Sequence, residues 1–400
     1  MNHLLRNNII LFALTLVCSF VLYSLHIMLP WMFGPIIASI IVVRVFKLEV
    51  KWPWILSELG LILLGVQIGS GFTVSVLNDI KNEWLSIILV TILLLGLALL
   101  VSIEFRRIAH VNTETALLSV IPGALSQMLV MAEENKKADI LVVSLTQTSR
   151  IIFVVILVPL ISLVFRQDTN STLEVHQNLT EVLKLQDIII LIIGIALIYF
   201  LMALIHFPTK MLIAPIVVLM VWNLITQHTF TLDYPIIAIA QMIYMIRVGI
   251  QIAHLIERMK GRIALAIAFQ NILLILGTFL MVLCIHFINK ASINELFLSA
   301  APGGMSQIVL VALETGGDVA MISSYHIFRI FFILFIIAPL IAYYLKFRER
   351  RQQRLKSYKN KKRGTVVSLF DCYRLGQSTK WLLYMPQASI NEKAVTGPIN

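Results

Sequence analysis

The sequence predicts an all-α polytopic membrane protein with about ten transmembrane helices and two re-entrant or broken helices, arranged in two inverted repeats. Three observations lead to this prediction. The composition is too apolar for a soluble chain, and apolar segments follow one another along most of its length. In addition, polar residues recur at a constant offset of 180 positions between the two halves.

The composition excludes an ordinary soluble fold. Of 400 residues, 59% are hydrophobic and 13% are charged, whereas a soluble globular chain has roughly 45–50% and 25%. The net charge is +11, but ten of the 32 basic residues lie between Lys346 and Arg363, directly after the last apolar segment. Such a run is typical of a cytoplasmic tail held near anionic lipid headgroups. The charge therefore does not indicate a nucleic-acid partner.

The apolar segments have the length of membrane-spanning helices, which need about 20 residues to cross the hydrocarbon core. They are continuous rather than alternating, which is not the pattern of a β-barrel. Twelve segments qualify or come close: 8–25, 27–43, 55–77, 85–103, 115–132, 139–165, 187–205, 208–225, 235–256, 263–288, 295–313 and 318–345.

The two halves of the chain carry an internal duplication. Residues 119–134 (SVIPGALSQMLVMAEE) match residues 299–314 (SAAPGGMSQIVLVALE) at 7 of 16 positions. Matched Pro, Gly, Ser, Gln and Arg at a constant offset are hard to obtain by chance, so a repeat is predicted. The matched pairs are His26/His206, Pro35/Pro215, Gly69/Gly249, Pro122/Pro302, Ser126/Ser306, Gln127/Gln307, Glu134/Glu314 and Pro159/Pro339 and, at offset 179, Asp139/Asp318 and Arg150/Arg329.

The distribution of basic residues predicts the topology. If segments 115–132 and 295–313 enter and leave on the same side, short inside loops hold 12 Lys and Arg and outside loops hold 4. This asymmetry favours ten spans with both termini in the cytoplasm, and five spans per repeat invert the second copy. The predicted parts are a first repeat (1–166), an external loop (167–186), a second repeat (187–346) and a basic, partly disordered cytoplasmic tail (347–400).

Two proline–glycine motifs interrupt otherwise apolar segments. Proline removes a backbone donor and glycine permits positive φ, so a helix should break at each motif. The alternative is a proline kink stabilised by small-residue packing. Two copies, each followed by Ser-Gln with the serine as a natural helix cap, favour a substrate or ion site. The candidate residues are Pro122, Gly123, Ser126, Gln127, Pro302, Gly303, Gly304, Ser306 and Gln307.

Three arginines fall near the predicted middle of the bilayer: Arg150, Arg247 and Arg329. Arginine at that depth costs about 2.5–3.5 kcal/mol on insertion scales, so each should face a partner or a wet cavity. His326 shares a helix face with Arg329, and we add it to the predicted anion-binding set. The alternative is a structural ion pair of Arg150 with Glu134 or Arg329 with Glu314. These two carboxylates could otherwise serve as proton or cation sites.

No cofactor, metal site or catalytic centre is predicted. The nine histidines form no HxxxH or HxH motif, and the three cysteines have no CxxC spacing. Nothing has the pattern of a Walker loop or a nucleophile elbow. The chain is therefore expected not to be an enzyme.

The blocks PGALSQ and PGGMSQ, each followed by an acidic residue and the midplane arginine, resemble the bacterial AbrB-duplication membrane family over about residues 8–346. The first copy departs from the pattern, with Ala124 for a glycine and Gln147 for His326. The first half is therefore expected to have lost a ligand that the second keeps. The resemblance implies an inner-membrane protein linked by name to control of gene expression. Family labels include "AbrB family regulator" and ammonia monooxygenase. A small soluble DNA-binding regulator shares the name but is a different protein.

Two functions of different classes are compatible with these observations. The first is a secondary-transporter-like carrier for a small anionic or amphiphilic solute. The second is a membrane-bound regulator or sensor that affects transcription without binding DNA, since no soluble DNA-binding domain is visible. Ammonia oxidation is disfavoured because no cluster of metal ligands is present. The expected partners are the lipid bilayer and the solute, with a homo-oligomer left open.

Overall fold

The computed structural model describes residues 3–27, 29–122, 125–135, 137–165, 177–178, 184–205, 207, 209–227 and 230–348. Residues 1–339 form one compact unit, and the helical run after α14 continues into residues 340–348 of a second unit. The predicted tail from residue 349 onward and most of the predicted external loop lie outside the described residues. Strands β1 (Gln177–Asn178) and β2 (Phe230–Thr231) pair in parallel.

The described part of the first half contains helices α1 (His3–Ser24), α2 (Pro30–Ile40, with a π-helical turn Ile41–Val45), α3 (Trp54–Ser70), α4 (Val74–Ala109), α5 (Thr113–Val120), α6 (Leu125–Glu134) and α7 (Ile140–Val164). The second half contains α8 (Leu185–Leu204), α9 (Lys210–Thr226), α10 (Tyr234–Arg258), α11 (Gly261–Asn289), α12 (Ile293–Ala300), α13 (Met305–Thr315) and α14 (Val319–Phe332, with a π-helical turn Ile333–Ile337).

Seven of the described helices are long and apolar enough to cross a membrane: α1, α4, α7, α8, α10, α11 and α14 with its continuation. In α8 only 6% of the most apolar window is buried, although its mean hydropathy is 2.8. Apolar side chains therefore face outwards along nearly the whole helix. A large exposed apolar surface of this kind is typical of a helix surrounded by lipid.

The structure confirms both predicted helix breaks. Pro122 lies between α5 and α6, and Pro302 lies between α12 and α13. Each short helix before a break begins with a side-chain cap. The Asn112 side chain accepts from the Thr115 amide at 2.8 Å, and Ser292 accepts from the Glu295 amide at 3.3 Å. These caps satisfy amides that would otherwise lack a partner.

The helices of the compact unit pack in two groups. A six-helix group contains α1, α2, α3, α8, α9 and α10, and an eight-helix group contains α4–α7 and α11–α14. Contacts between the groups are mainly those of α7 with α10 and of α3 with α13 and α14. The chain passes from one group to the other at residues 71–73, 165–184 and 259–260. Each group therefore combines helices from both halves of the sequence.

Two glycines separated by the offset of 180 residues make corresponding close contacts. A Cβ at Gly69 of α3 would lie 2.9 Å from Ile216 Cα of α9, and a Cβ at Gly249 of α10 would lie 2.9 Å from Ile36 Cα of α2. The partners Ile36 and Ile216 are themselves 180 residues apart. Glycine is required at both positions because the neighbouring helix backbone leaves no space for a side chain.

Helices α3 and α10 run antiparallel. Just before α3, the Trp52 indole donates to the carbonyl of Ile243 at 3.1 Å. Near the end of α3, the Gln67 side-chain oxygen accepts from the Leu232 amide at 2.9 Å. Moving forward along α3 therefore means moving backward along α10.

Candidate functional site

At the first break, α7 binds the end of α5 through two side chains. The Arg150 guanidinium donates to the carbonyls of Ser119, Val120 and Ile121 at 3.2, 2.8 and 3.5 Å. Gln147, one turn earlier, donates to the carbonyls of Leu118 and Ile121 at 2.7 and 2.9 Å. The Gln147 side-chain oxygen also accepts from Arg150 at 3.2 Å. These bonds satisfy carbonyls that a broken helix leaves without partners, and the positive charge lies at the negative end of the α5 dipole.

The second break has the same arrangement with histidine in place of glutamine. Arg329 of α14 donates to the Ala300 carbonyl at 3.3 Å and to Nδ1 of His326. His326 Nε2 lies 2.9 Å from the Leu298 carbonyl. The neutral ring with its proton on Nε2 satisfies both contacts. Gln147 and His326 therefore hold corresponding places and bind corresponding carbonyls, so the loss of the histidine in the first copy leaves this interaction intact.

The two arginines form a buried positive centre. Arg150 is 5% exposed and Arg329 is 3% exposed, and they lie close enough for their charges to repel. In each, the Nε atom is buried without a hydrogen-bond partner among the described residues. The terminal nitrogens of Arg150 donate to backbone carbonyls and to Gln147, and those of Arg329 donate to the Ala300 carbonyl and to His326. The predicted alternative of an Arg150–Glu134 pair does not fit this geometry, because Glu134 is exposed at the end of α6.

The start of α13 meets the six-helix group through a tyrosine. The Tyr244 hydroxyl of α10 lies 2.7 Å from Ser306 Oγ and accepts from the side-chain nitrogen Nε2 of Gln307 at 2.9 Å. The Ser306 hydroxyl also lies 3.3 Å from the Gln307 side-chain oxygen. The expectation that Ser306 caps α13 is wrong. Gly304 occupies the N-cap position without a side-chain cap, and Ser306 binds Tyr244 instead.

Two glycines allow this close packing. A Cβ at Gly304 would lie 2.2 Å from the Gln307 side-chain oxygen, so the glutamine can fold over the N-cap only when that position is glycine. A Cβ at Gly303 would lie 2.6 Å from Cγ1 of Val154 in α7. Both glycines therefore reflect contacts at the break.

Arg247 lies beside the same point of contact. Residues 241–246 and 248–249 are buried, whereas Arg247 is exposed. It is one helical turn from Tyr244, and its charge is near enough to act on the tyrosine hydroxyl. The start of α13, the Ser306 and Tyr244 hydroxyls and the Arg247 charge therefore occupy one region. Helix N-termini and arginine both favour anions.

The counterpart region of the first copy differs. Gln67, the residue 180 positions before Arg247, binds the Leu232 amide. Leu64 stands at the place of Tyr244. Gln127 is half-buried, while Gly123 and the side chain of Ser126 lie outside the described residues. Glu314 is half-buried at the end of α13, near enough to Tyr234 for an electrostatic interaction.

Tyr244 is the residue of this region that the sequence pattern did not predict. The sequence gives little indication of a role for Tyr244, because tyrosine is common in apolar helices and the repeat pairs this tyrosine with a leucine. Its position three residues before Arg247 places both on one helix face, which could have pointed to it. Among the described residues, no group of three or more His, Cys, Asp or Glu is placed to hold a metal ion.

Comparison with known proteins identifies one relative and one family. The chain is similar to "Uncharacterized protein YhjN" of Bacillus subtilis (strain 168), with 22% identity over 352 residues that cover 82% of this chain and 90% of the relative. The family described as "Transition state regulatory protein AbrB" matches residues 31–345. These residues include helices α3 to α14 and all of α2 except its first residue. The chain is thus a helical membrane protein that belongs to the AbrB family.

Proposed function

We propose that this protein is a secondary-transporter-like carrier for a small anionic or amphiphilic solute in the bacterial inner membrane. The main support is the region where Ser306, Tyr244 and Arg247 come together between the two helix groups. An exposed arginine beside the N-terminus of α13 offers two positive partners to an anion.

The proposal includes two inverted repeats of seven helices each, α1–α7 and α8–α14. The reciprocal packing of Gly69 and Gly249 supports it, because such contacts are expected from a two-fold axis. The antiparallel course of α3 and α10 supports inversion, since these helices hold corresponding places in the repeats. Inverted repeats with broken helices are characteristic of secondary transporters.

The proposed topology has ten spans and two re-entrant hairpins, α5–α6 and α12–α13. The seven longer helices would supply seven of the ten spans. Three shorter apolar helical segments, 30–45, 54–70 and 210–226, would supply the other three. The topology requires α2 and α10 to run parallel. Two contacts support this: the Trp31 indole donates to the Tyr234 hydroxyl at 2.7 Å at their starts, and Arg44 pairs with Glu257 at 3.1 Å at their ends.

In this proposal, the eight-helix group moves as a body against the six-helix group and exposes the solute to each side in turn. Rigid-body movement of one bundle against another is the general mechanism of inverted-repeat carriers. Only a few of the described helix pairs approach closely between the groups, which supports such a movement, although buried apolar side chains of both groups share one core cluster. The Tyr244–Ser306 hydrogen bond crosses between the groups, so the movement would have to break it.

Uptake into proteoliposomes across a panel of small organic and inorganic anions tests the proposal. Arg247→Gln should lower the uptake of the true solute, whereas Arg258→Gln, the same charge change at the exposed end of α10, should not. Full uptake by the Arg247→Gln protein would contradict the proposed site. Uptake of none of the anions by the wild type would contradict the carrier function for that panel.

Cysteine accessibility tests the inversion separately from transport. In a Cys-less background, Ser126→Cys should react with a reagent added to the cytoplasmic side and Ser306→Cys with a reagent added outside, or both through a shared cavity. Reaction of both cysteines strictly from one and the same face would contradict the inverted arrangement.

A second candidate function is favoured by the family description, which names a transition state regulator. In this view the protein is a membrane-bound sensor that changes gene expression without binding DNA. A deletion strain with altered transcription that solute supply does not affect would favour the sensor. Altered transcription that disappears when the solute is supplied would favour the carrier.

A further inference from the structure

A cavity of about 860 Å³ lies at the end of the compact unit where the sequence places the cytoplasm. It is bounded by the first turn of α1, the segment 44–51 and the last turns of α10. Four of its lining residues are basic or imidazole side chains: Arg44, Lys47, Lys51 and His254. The two acidic lining residues are Glu49 and Glu257. This cavity is separate from the two helix breaks and takes no part in the proposed transport.

The charges in the cavity are only partly neutralised. Arg44 pairs with Glu257 at 3.1 Å, and both side chains are exposed at its edge. Among the remaining lining residues, Lys47 and Lys51 contribute two positive charges and Glu49 contributes one negative charge. A guanidinium has five N–H donors, so Arg44 retains several donors for a ligand after its contact with Glu257.

The segment that carries the lysines is held in place by side chains of α1. The Asn7 side chain donates to the Glu49 carbonyl at 2.8 Å. The Asn8 side chain donates to the Lys51 carbonyl at 2.8 Å and accepts from its amide at 3.2 Å. Trp52, the next residue, stacks on Phe12 with ring centroids 6.2 Å apart. The lysine backbone is therefore preorganised, which lowers the entropic cost of binding.

The four basic or imidazole residues of the cavity have no basic counterpart in the other half of the sequence. Leu224, Gln227 and Thr231 stand 180 positions after Arg44, Lys47 and Lys51, and Val74 stands 180 positions before His254. The cavity is thus a property of one end of the molecule and not a by-product of the repeat. A basic pocket between helices on the cytoplasmic side is typical of binding to acidic lipid headgroups.

We propose that this cavity binds the phosphate group of an anionic phospholipid headgroup through Arg44, Lys47 and Lys51. The apolar lining residues Leu4, Val43 and Val50 would contact the adjoining glycerol and upper acyl chain. Free inorganic phosphate offers the same chemistry, so the experiment has to separate the two sources.

The test is the thermal unfolding of the full chain in detergent with added phosphatidylglycerol, phosphatidylcholine or inorganic phosphate. Phosphatidylglycerol should raise the Tm by about 3 °C or more relative to phosphatidylcholine. Lys47→Gln/Lys51→Gln should lose this difference, and high salt should reduce it in the wild type. Lys81→Gln/Lys290→Gln, which removes two exposed lysines from other parts of the chain, should retain it.

Each outcome decides between the possibilities. An equal rise with inorganic phosphate alone would support a phosphate site but assign it to a soluble anion. An equal Tm in phosphatidylglycerol and phosphatidylcholine, with no effect of phosphate, would overturn the proposal. Retention of the full difference by the Lys47→Gln/Lys51→Gln protein would also overturn it. If that variant does not fold, native mass spectrometry of the wild type still counts phosphatidylglycerol against phosphatidylcholine bound per chain.

Discussion

The two helix breaks end a short helix in the same way but differ in the contacts made by the next helix. In both, an arginine and its neighbour one turn earlier bind the last carbonyls of the short helix, Arg150 with Gln147 and Arg329 with His326. After the second break, α13 begins with a hydrogen-bonded contact to Tyr244, with Arg247 nearby. The counterparts of these two residues are Leu64 and Gln67.

This difference distinguishes polar side chains that satisfy backbone groups of the fold from polar side chains that remain available to a ligand. Arg150 and Arg329 each donate to carbonyls at the end of a short helix, either directly or together with the residue one turn earlier. A broken helix in a membrane requires such donors whatever the function. Arg247 is exposed, and its region combines hydroxyls with a helix N-terminus. We infer that the arginines at the breaks serve mainly the fold, and that Arg247 is the best placed to contact a solute.

The largest effect is expected at Arg150. Arg150→Ala removes the side-chain donor of the buried Ser119 and Val120 carbonyls, whereas the Ile121 carbonyl keeps its bond from Gln147. The change should cost about 2–6 kcal/mol, since each unsatisfied buried group costs about 1–3 kcal/mol. Arg329→Ala should cost less, because Arg329 binds one carbonyl and His326. Equilibrium unfolding in mixed micelles measures both. An equal or larger loss in the Arg329→Ala protein would contradict the difference between the breaks.

Tyr244→Phe tests the contact between the helix groups. It removes the hydroxyl that joins Ser306 and Gln307, and at about 1 kcal/mol per hydrogen bond it should cost about 1–2 kcal/mol. The same unfolding measurement applies, with Tyr199→Phe as a control at a half-buried tyrosine of α8, away from the contact with α13. No loss of stability would show that the contact contributes nothing to holding the groups together.

Gly304→Ala should make the second break more like the first, which has Ala124 at this place. The added methyl displaces the Gln307 side chain and should cost about 1 kcal/mol, because it removes one hydrogen bond to Tyr244. In a Gln307→Ala background the same change should cost clearly less, since the displaced group is absent. If Gly304→Ala costs the same in both backgrounds, the added methyl group must strain a contact other than that with Gln307.

The smallest effect is expected for His326→Gln, which copies the first break. Glutamine can donate to the Leu298 carbonyl and accept from Arg329, as Gln147 does with Leu118 and Arg150. The change should cost less than about 1 kcal/mol, since both hydrogen bonds are retained. His326→Leu, which can form neither bond, is the matched control and should cost more. Equal losses in the two proteins would mean that the histidine ring has a further role.

Several features of the fold were predictable from the sequence. The breaks at Pro122 and Pro302 were predicted from proline and glycine in apolar segments. Helix α4 runs from residue 74 to 109, well beyond the predicted 85–103. Charged residues such as Lys81 and Glu83 end the apolar run, but they do not end a helix, because hydropathy and helix propensity are different properties.

Other features depend on tertiary structure and could not be read from the chain. Contact between the two helix groups brings Tyr244 to Ser306, which are 62 residues apart, and no local pattern indicates this pairing. The predicted role of Ser306 as a helix cap was reasonable locally. In the structure, however, Ser306 forms a hydrogen bond with Tyr244 of the six-helix group. The predicted ligand roles of the remaining residues, including Pro302 and Gln127, stay predictions.

The arrangement of the arginines has a consequence for biosynthesis. Arg150 comes 29–31 residues after its carbonyl acceptors, and Arg329 comes 29 residues after its acceptor. The acceptors therefore leave the ribosome before the charge that needs them. Each arginine can enter the translocon with the end of its short helix already present, so its insertion does not have to await the other half of the protein.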